Sequence, residues 1–275
     1  MKQRTLTAVG MALIFIPIFI FGHHFHMFAI FCGLLALLAS FEFARVVDKT
    51  QSTSSVIAIL SMVATGGVIA VGYLRLIGLI QTASMIYALA GVLLAVLVVY
   101  VLVPQAHIQG ISSVLLIGLY VGLGFLALID LRIKGIWVLG FVLLNAILTD
   151  AFAYMFGIRF GRHRLAPVIS PKKSVEGAIA GWVCGSAGAT VFAVSLQVFS
   201  IHWAYVLIIA MLLSVVAQLG DLVASKIKRD YGIKDFSNLL PGHGGVLDRF
   251  DSWIFAAMMM SIIIYVLNQL AHLGL

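Results

Sequence analysis

Nine long, almost uncharged apolar runs set the limits on what this chain can fold into. They fall near residues 6–22, 25–44, 55–74, 83–103, 111–130, 135–158, 174–196, 203–224 and 252–272. A stretch of about 20 apolar residues is long enough to cross the hydrocarbon core of a bilayer as a helix. Closed barrels also span membranes, but their strands are short and alternate in polarity, whereas these runs are continuous. The expected fold is all-α: a polytopic integral membrane protein of about nine transmembrane helices. The charged share of 10%, against about 25% in a soluble domain, leaves too little polarity for a water-facing surface. The weakest break lies between the fourth and fifth runs, where Pro104, Gln105, His107, Gln109 and Gly110 are polar or turn-forming but uncharged.

Lys2 and Arg4 precede the first run, yet no small-residue cleavage site follows it, so it reads as a retained span and not a signal peptide. With an odd number of spans and the N-terminus inside, the outer side holds only Arg75, Arg132 and Lys134 of the 17 Lys and Arg. The other fourteen lie inside (17 − 3), so an N-in, C-out orientation is expected. Cys32 and Cys184 sit within apolar runs and read as small buried residues, with no metal or redox spacing. His23, His24 and His26 cluster in a short outer loop without acidic or Cys partners, and no metal is expected there.

The distribution of charge carries more information than its amount. From residue 150 onward all 17 Asp, Glu, Lys and Arg fall in two windows, 150–176 and 221–251. A hairpin of two apolar spans separates the windows, so topology brings both to one membrane face. In the second window Asp221, Ser225 and Lys228 repeat at i, i+4, i+7 and share a helical face if the eighth span extends through Arg229. Asp248 and Asp251 share a face at the start of the ninth span. Between them Pro241-Gly242-His243-Gly244-Gly245 must form a loop. In the first window Asp150 lies well inside the sixth run, near Asn145 and Thr149. A charge there costs about 2.5–3.5 kcal/mol on insertion scales, so it is expected to face a cavity or a partner. In Ser170-Pro171-Lys172-Lys173-Ser174-Val175-Glu176-Gly177, Ser170 reads as an N-cap and Pro171 as the first helical residue of the seventh span. Free N–H groups beside two lysines would suit an anion.

Carboxylates at the ends of two helices can jointly bind a hard divalent cation such as Mg²⁺, which often brings substrate phosphates with it. Flanking Lys, Arg and His suit the remaining phosphate oxygens, and a glycine-rich turn lets backbone N–H groups approach the same anion. The positive-inside bias accounts for Lys226, Lys228 and Arg229 on its own. It does not account for five aspartates among them, nor for His-Gly-Gly. The mixture reads as a metal–polyphosphate site.

Residues Ser225 to Asp251 resemble the signature of the phosphatidate cytidylyltransferases, or CDP-diacylglycerol synthases. Ser225, Lys228, Arg229, Lys234, Asp235, Pro241, His243, Gly244, Gly245, Asp248, Arg249 and Asp251 all stand in place. The segment from Ser170 to Gly177 is similar to a second recurrent motif of that family, and the specific match covers about residues 145–255. The resemblance implies CTP and phosphatidate as substrates, a Mg²⁺ requirement with one or two ions, and a helical fold whose site opens to cytoplasm and lipid. It further implies a homodimer; a short chain without extensions suits a bacterial plasma membrane, and no nucleic-acid partner is expected. On it, Asp248 and Asp221 are expected as metal ligands, with Asp251 as a further ligand or as the orienter of Arg249 or Lys228. Lys228, Arg229, Arg249 and His243 are expected to contact phosphates, and Ser225 a metal or phosphate. Lys172, Lys173, Lys234, Gly244 and Gly245 are expected to help bind substrate. Residues 1–105 are then a packing or lipid-access region and 106–275 the catalytic core.

Three alternatives fit less well. A CTP-dependent polyprenol or phytol kinase would share the acids and bases, but the complete His-Gly-Gly-x-x-Asp-Arg-x-Asp run argues against it. The Asp-Gly, Ala-Arg run of the CDP-alcohol phosphatidyltransferases is not found. A transporter would favour broken helices in two matching halves, whereas these charges gather at one surface.

Overall fold

The apolar runs are helices in the computed structural model, which describes residues 2–22, 26–51, 56–103 and 107–272. Among these residues the helices are α1 (Lys2–Phe21), α2 (Met27–Gln51), α3 (Val56–Leu76), α4 (Thr82–Leu102), α5 (Ile108–Lys134), α6 (Ile136–Phe160), α7 (Val175–Ser195), α8 (Trp203–Asp230) and α9 (Leu247–His272). Each of α2 to α9 is long and apolar enough to cross a membrane, so the all-α polytopic reading holds. His23, His24, Pro104 and Gln105 lie outside the described residues. Two boundaries move usefully. Helix α8 continues to Asp230, and α9 begins at Leu247, so the acidic residues Asp221, Asp248 and Asp251 are all helical.

The start of the seventh span departs from expectation. Residues Arg164–Ala166 (β1) and Ser170–Ser174 (β2) form an antiparallel hairpin that pairs Arg164 with Ser174 and Ala166 with Ser170. Pro171, which lacks an N–H, is tolerated because each strand of a two-stranded ribbon is an edge. The N-cap is therefore Ser174 and not Ser170: its hydroxyl accepts from Gly177 N at 3.2 Å. Lys172 and Lys173 consequently lie on a strand ahead of the helix, not in its first turn.

Two compact units make up the chain. Unit 1 comprises residues 1–130 and 235–249, and unit 2 residues 131–234 and 250–275. That grouping is one of packing, whereas the division into 1–105 and 106–275 is one of expected role, on which packing is silent. In unit 1, α2 and α3 are joined by a buried hydrogen bond from Thr65 Oγ1 to Ser40 Oγ at 3.0 Å. Phe43 packs against Tyr120 and Phe236, with ring centroids 6.4 and 5.3 Å away.

Unit 2 is built on close helix contact. Gly177, Gly181 and Gly185 repeat every fourth residue of α7 and face α6; a Cβ at Gly181 would stand 2.5 Å from Thr149 O. Lipid chains are as apolar as Leu, so helices in membranes associate through such close backbone packing and through polar bonds across the interface. Both are present. Asn145 Nδ2 donates to Ala210 O at 3.1 Å, Thr149 and Ser214 share a hydrogen bond of 2.8 Å, and Trp182 Nε1 donates to Met211 O at 3.1 Å. Replacing Gly181 by Val should lower the unfolding free energy in detergent by about 1–3 kcal/mol through overpacking. Gly91→Ala, on α4 where a Cβ meets open space, should be neutral or stabilise by up to about 1 kcal/mol. Thermal and denaturant unfolding in micelles check the pair.

Candidate active site

At the polar end of unit 2, α6, the hairpin and α8 surround a cavity of about 670 Å³. Its charged lining comes from Asp150 on α6, Arg164, Lys172 and Lys173 on the hairpin, and Asp221 on α8. The intramembrane Asp150 thus opens into a cavity, as the cost of a lone charge requires. Lys173 forms an ion pair with Asp221. One helical turn on, Ser225 Oγ donates to Asp221 Oδ1 at 3.3 Å, which confirms that the two share a face of α8. Lys228, on the same face, is buried.

Asp251 completes this cluster. It is buried, and its Oδ1 accepts from Ser252 N at 2.7 Å and Ser252 Oγ at 3.2 Å. Its charge faces those of Asp221, Asp150 and the opposing Lys228. The approach of α9 to α8 depends on Gly220, where a Cβ would stand 2.8 Å from Asp251 O and from the Phe255 ring. Three aspartates therefore lie within electrostatic range of one another, with Lys173 and Lys228 between them. Arg229 is used differently: Nε donates to Ile169 O at 3.3 Å and an Nη to Ile233 O at 2.8 Å, tying the hairpin turn to the exit of α8. Lys226 pairs with Asp230, and Lys234 is exposed.

The glycine-rich loop belongs to unit 1. Leu240 N donates to Gly244 O at 2.9 Å and His243 N to Leu240 O at 2.8 Å, forming a tight turn that requires a positive φ of 82° at Gly244. Asp248 Oδ2 accepts from Phe236 N at 2.8 Å and Gly245 N at 2.9 Å, holding both sides of the loop to the first turn of α9. His243 Nδ1 is buried and meets no hydrogen-bond partner among the described residues. Arg249 is exposed. The two expected principal metal ligands, Asp221 and Asp248, thus belong to different units. Among the described residues no three His, Cys, Asp or Glu side chains converge as a ready-made metal cage.

The profile of the cytidylyltransferase family matches residues 2–267. The chain belongs to that family. Relatives named phosphatidate cytidylyltransferase include one from Staphylococcus saprophyticus, 35% identical, with the match covering 96% of this chain and 99% of the relative. Others come from Staphylococcus epidermidis at 35% and Staphylococcus aureus at 33% identity, with the same coverage. The resemblance first seen over residues 145–255 therefore extends along the whole length of this cytidylyltransferase-family chain.

Glu42 is the residue that the sequence reading passed over. It lies on α2 and is buried, with a relative exposure of 4%. Its Oε1 accepts from Ser237 Oγ at 2.6 Å and Val246 N at 3.0 Å, and its Oε2 from Leu247 N at 3.1 Å. The signal was available: an acid inside an apolar run needs partners just as Asp150 does. The same carboxylate explains the second glycine of His-Gly-Gly, since a Cβ at Gly245 would stand 2.5 Å from Glu42 Oε2. Gly245→Ala should lower the unfolding free energy by about 1–3 kcal/mol and open the 236–247 loop to limited proteolysis. Equal cleavage of the variant and wild-type loops in micelles would contradict this.

Proposed function

We propose that this protein transfers the cytidylyl group of CTP to phosphatidate, giving CDP-diacylglycerol and pyrophosphate. The observation that carries the reading is the unit 2 cavity, where Arg164, Lys172 and Lys173 meet Asp150 and Asp221 beside apolar Ile158 and Leu165. Cations suited to phosphates next to an apolar wall match a lipid headgroup and its chains. A phosphatidate oxygen attacks the α-phosphorus of CTP in line. The new P–O bond forms as the bond from the α-phosphorus to the bridging oxygen breaks, and the electron pair leaves with pyrophosphate. The nucleophile is already an anion, so no strong base is needed. The protein's task is to position two polyanions and neutralise their charge.

Within that task Lys172, Lys173 and Lys228 bind and orient phosphate oxygens, and Ser225 and Lys173 hold the carboxylate of Asp221 in place. The unpartnered Nδ1 of His243 suits a further phosphate contact. Mg²⁺ fits the donor set: it takes one or two carboxylates, keeps several waters and accepts substrate phosphates, so a complete protein cage is not required. Asp221 and Asp251 in unit 2, and Asp248 in unit 1, are the candidates to hold one or two such ions, which would supply neutralisation of phosphate charge. An N-in orientation, a site on the cytoplasmic face of a bacterial plasma membrane and assembly as a homodimer belong to the same reading. The inner-side excess of Lys and Arg supports the first of these.

Detergent-purified protein given CTP, phosphatidate and Mg²⁺ should release pyrophosphate and CDP-diacylglycerol in equal amounts. A chelator should stop both, and added Mg²⁺ restore them. Release of CDP instead would move the assignment to a lipid kinase. For Asp248→Asn, the amide oxygen can still accept from Phe236 N and Gly245 N, so the unfolding midpoint should change little. Turnover should fall by at least about 100-fold with the lost charge. Near-normal turnover would remove Asp248 from the metal-binding set.

A further inference from the structure

We infer that Glu42 is a positioning residue for cytidylyl transfer, holding the His243–Asp248 segment in the geometry that presents it to phosphate. This rests on the reaction proposed above. A carboxylate buried in an apolar bundle is costly unless its oxygens are hydrogen-bonded, and all three bonds found for Glu42 go to the far end of the chain, 195 to 205 residues away. Two of the donors, Val246 N and Leu247 N, are amides at the start of α9 that have no partner within the helix. A negative charge at a helix N-terminus is also favoured by the helix dipole.

Two carboxylates therefore grip one loop. Asp248 accepts from Phe236 N and Gly245 N, while Glu42 takes the next two amides, Val246 N and Leu247 N, together with the Ser237 hydroxyl. Gly245 lies against both: its N–H goes to Asp248, and its missing Cβ leaves the space that Glu42 Oε2 occupies. Only Asp248 belongs to the signature recognised in the sequence. Glu42 acts through the loop: by fixing the amides on either side of Val246, it sets the direction in which His243, Asp248 and Arg249 leave the backbone. A shift of about 1 Å in such groups is enough to cost on the order of 100-fold in rate.

The test compares Glu42→Gln, Ser237→Ala and the double variant with wild type, measuring kcat, KM for CTP and phosphatidate, and amide hydrogen exchange in micelles. The Gln amide retains one acceptor oxygen but turns an N–H₂ toward Leu247 N–H. We expect kcat to fall about 10- to 100-fold, with both KM values within about threefold. Exchange should quicken over 236–247 and stay unchanged in α6 to α8. Ser237→Ala, the milder change should Glu42→Gln fail to fold, is expected to lower kcat by about two- to fivefold. That loss should disappear in the Glu42→Gln background, because both changes break one network. A wild-type kcat in the folded single variants would overturn the inference. So would exchange that rises evenly through every helix, which marks a merely structural role. Wild-type protein that forms no CDP-lipid sinks the reaction itself and this inference with it. An active wild type beside an unaffected Glu42→Gln sinks the role of Glu42 alone.

Discussion

A backbone amide that leaves a helix inside an apolar protein has to find an acceptor, because no bulk water is there to supply one. Leaving such a group bare costs about 1–3 kcal/mol. A non-helical segment in each unit engages its amides with acids. In unit 2 Glu176 accepts from Arg162 N at 3.0 Å and His163 N at 3.2 Å, closing the entry to the hairpin at an exposed position that water also reaches. Glu42 and Asp248 do the same for the 236–247 loop. The carboxylates that let the chain leave helical structure thus also shape the segments that carry the glycine-rich turn and the two strand lysines.

The scaffold beneath the unit 2 cavity is stiff for a related reason. Close glycine contacts leave little freedom between α6 and α7, and the side-chain bonds to α8 fix the third wall. On that frame the charges alternate. Asp150, Asp221 and Asp251 would repel one another if left alone, and Lys173 and Lys228 offset them. Such a cluster is partly compensated by its own cations at rest, and its oxygens and ammonium groups are those that a metal-bound triphosphate and a lipid phosphate would engage. Transfer between two polyanions asks for this kind of placed, partly compensated charge more than for an acid or base of unusual strength.

Much of the site was legible because helical periodicity is a local property. Asp221, Ser225 and Lys228 share a face by spacing alone, and the cost of its charge in an apolar run marks Asp150 as facing a cavity or a partner. The hairpin was not legible. Ser170-Pro171 reads as a helix start, and so does Ser174-Val175; the choice between them was made by pairing of Ser170 and Ser174 across to β1, which no short window contains. An acid within an apolar run marks Glu42 as needing partners, but those partners lie some 200 residues away, so no local pattern names them. Arg229 is engaged with two backbone carbonyls, Ile169 O in the hairpin turn and Ile233 O just past α8, a linkage that depends on the hairpin and is not visible in the sequence.

The sequence by itself determined the class of fold, the approximate limits of eight of the nine expected spans, and the two segments in which polar chemistry is concentrated. These follow from transfer free energies and from helix geometry, which act residue by residue and turn by turn. Tertiary structure alone decided which carboxylates bind backbone and which face a cavity, which serine caps α7, and why the second glycine of the loop can carry no side chain. Each of those outcomes is a hydrogen bond or a close approach between elements distant in the chain. The energy of such a contact exists only once packing has brought both partners together.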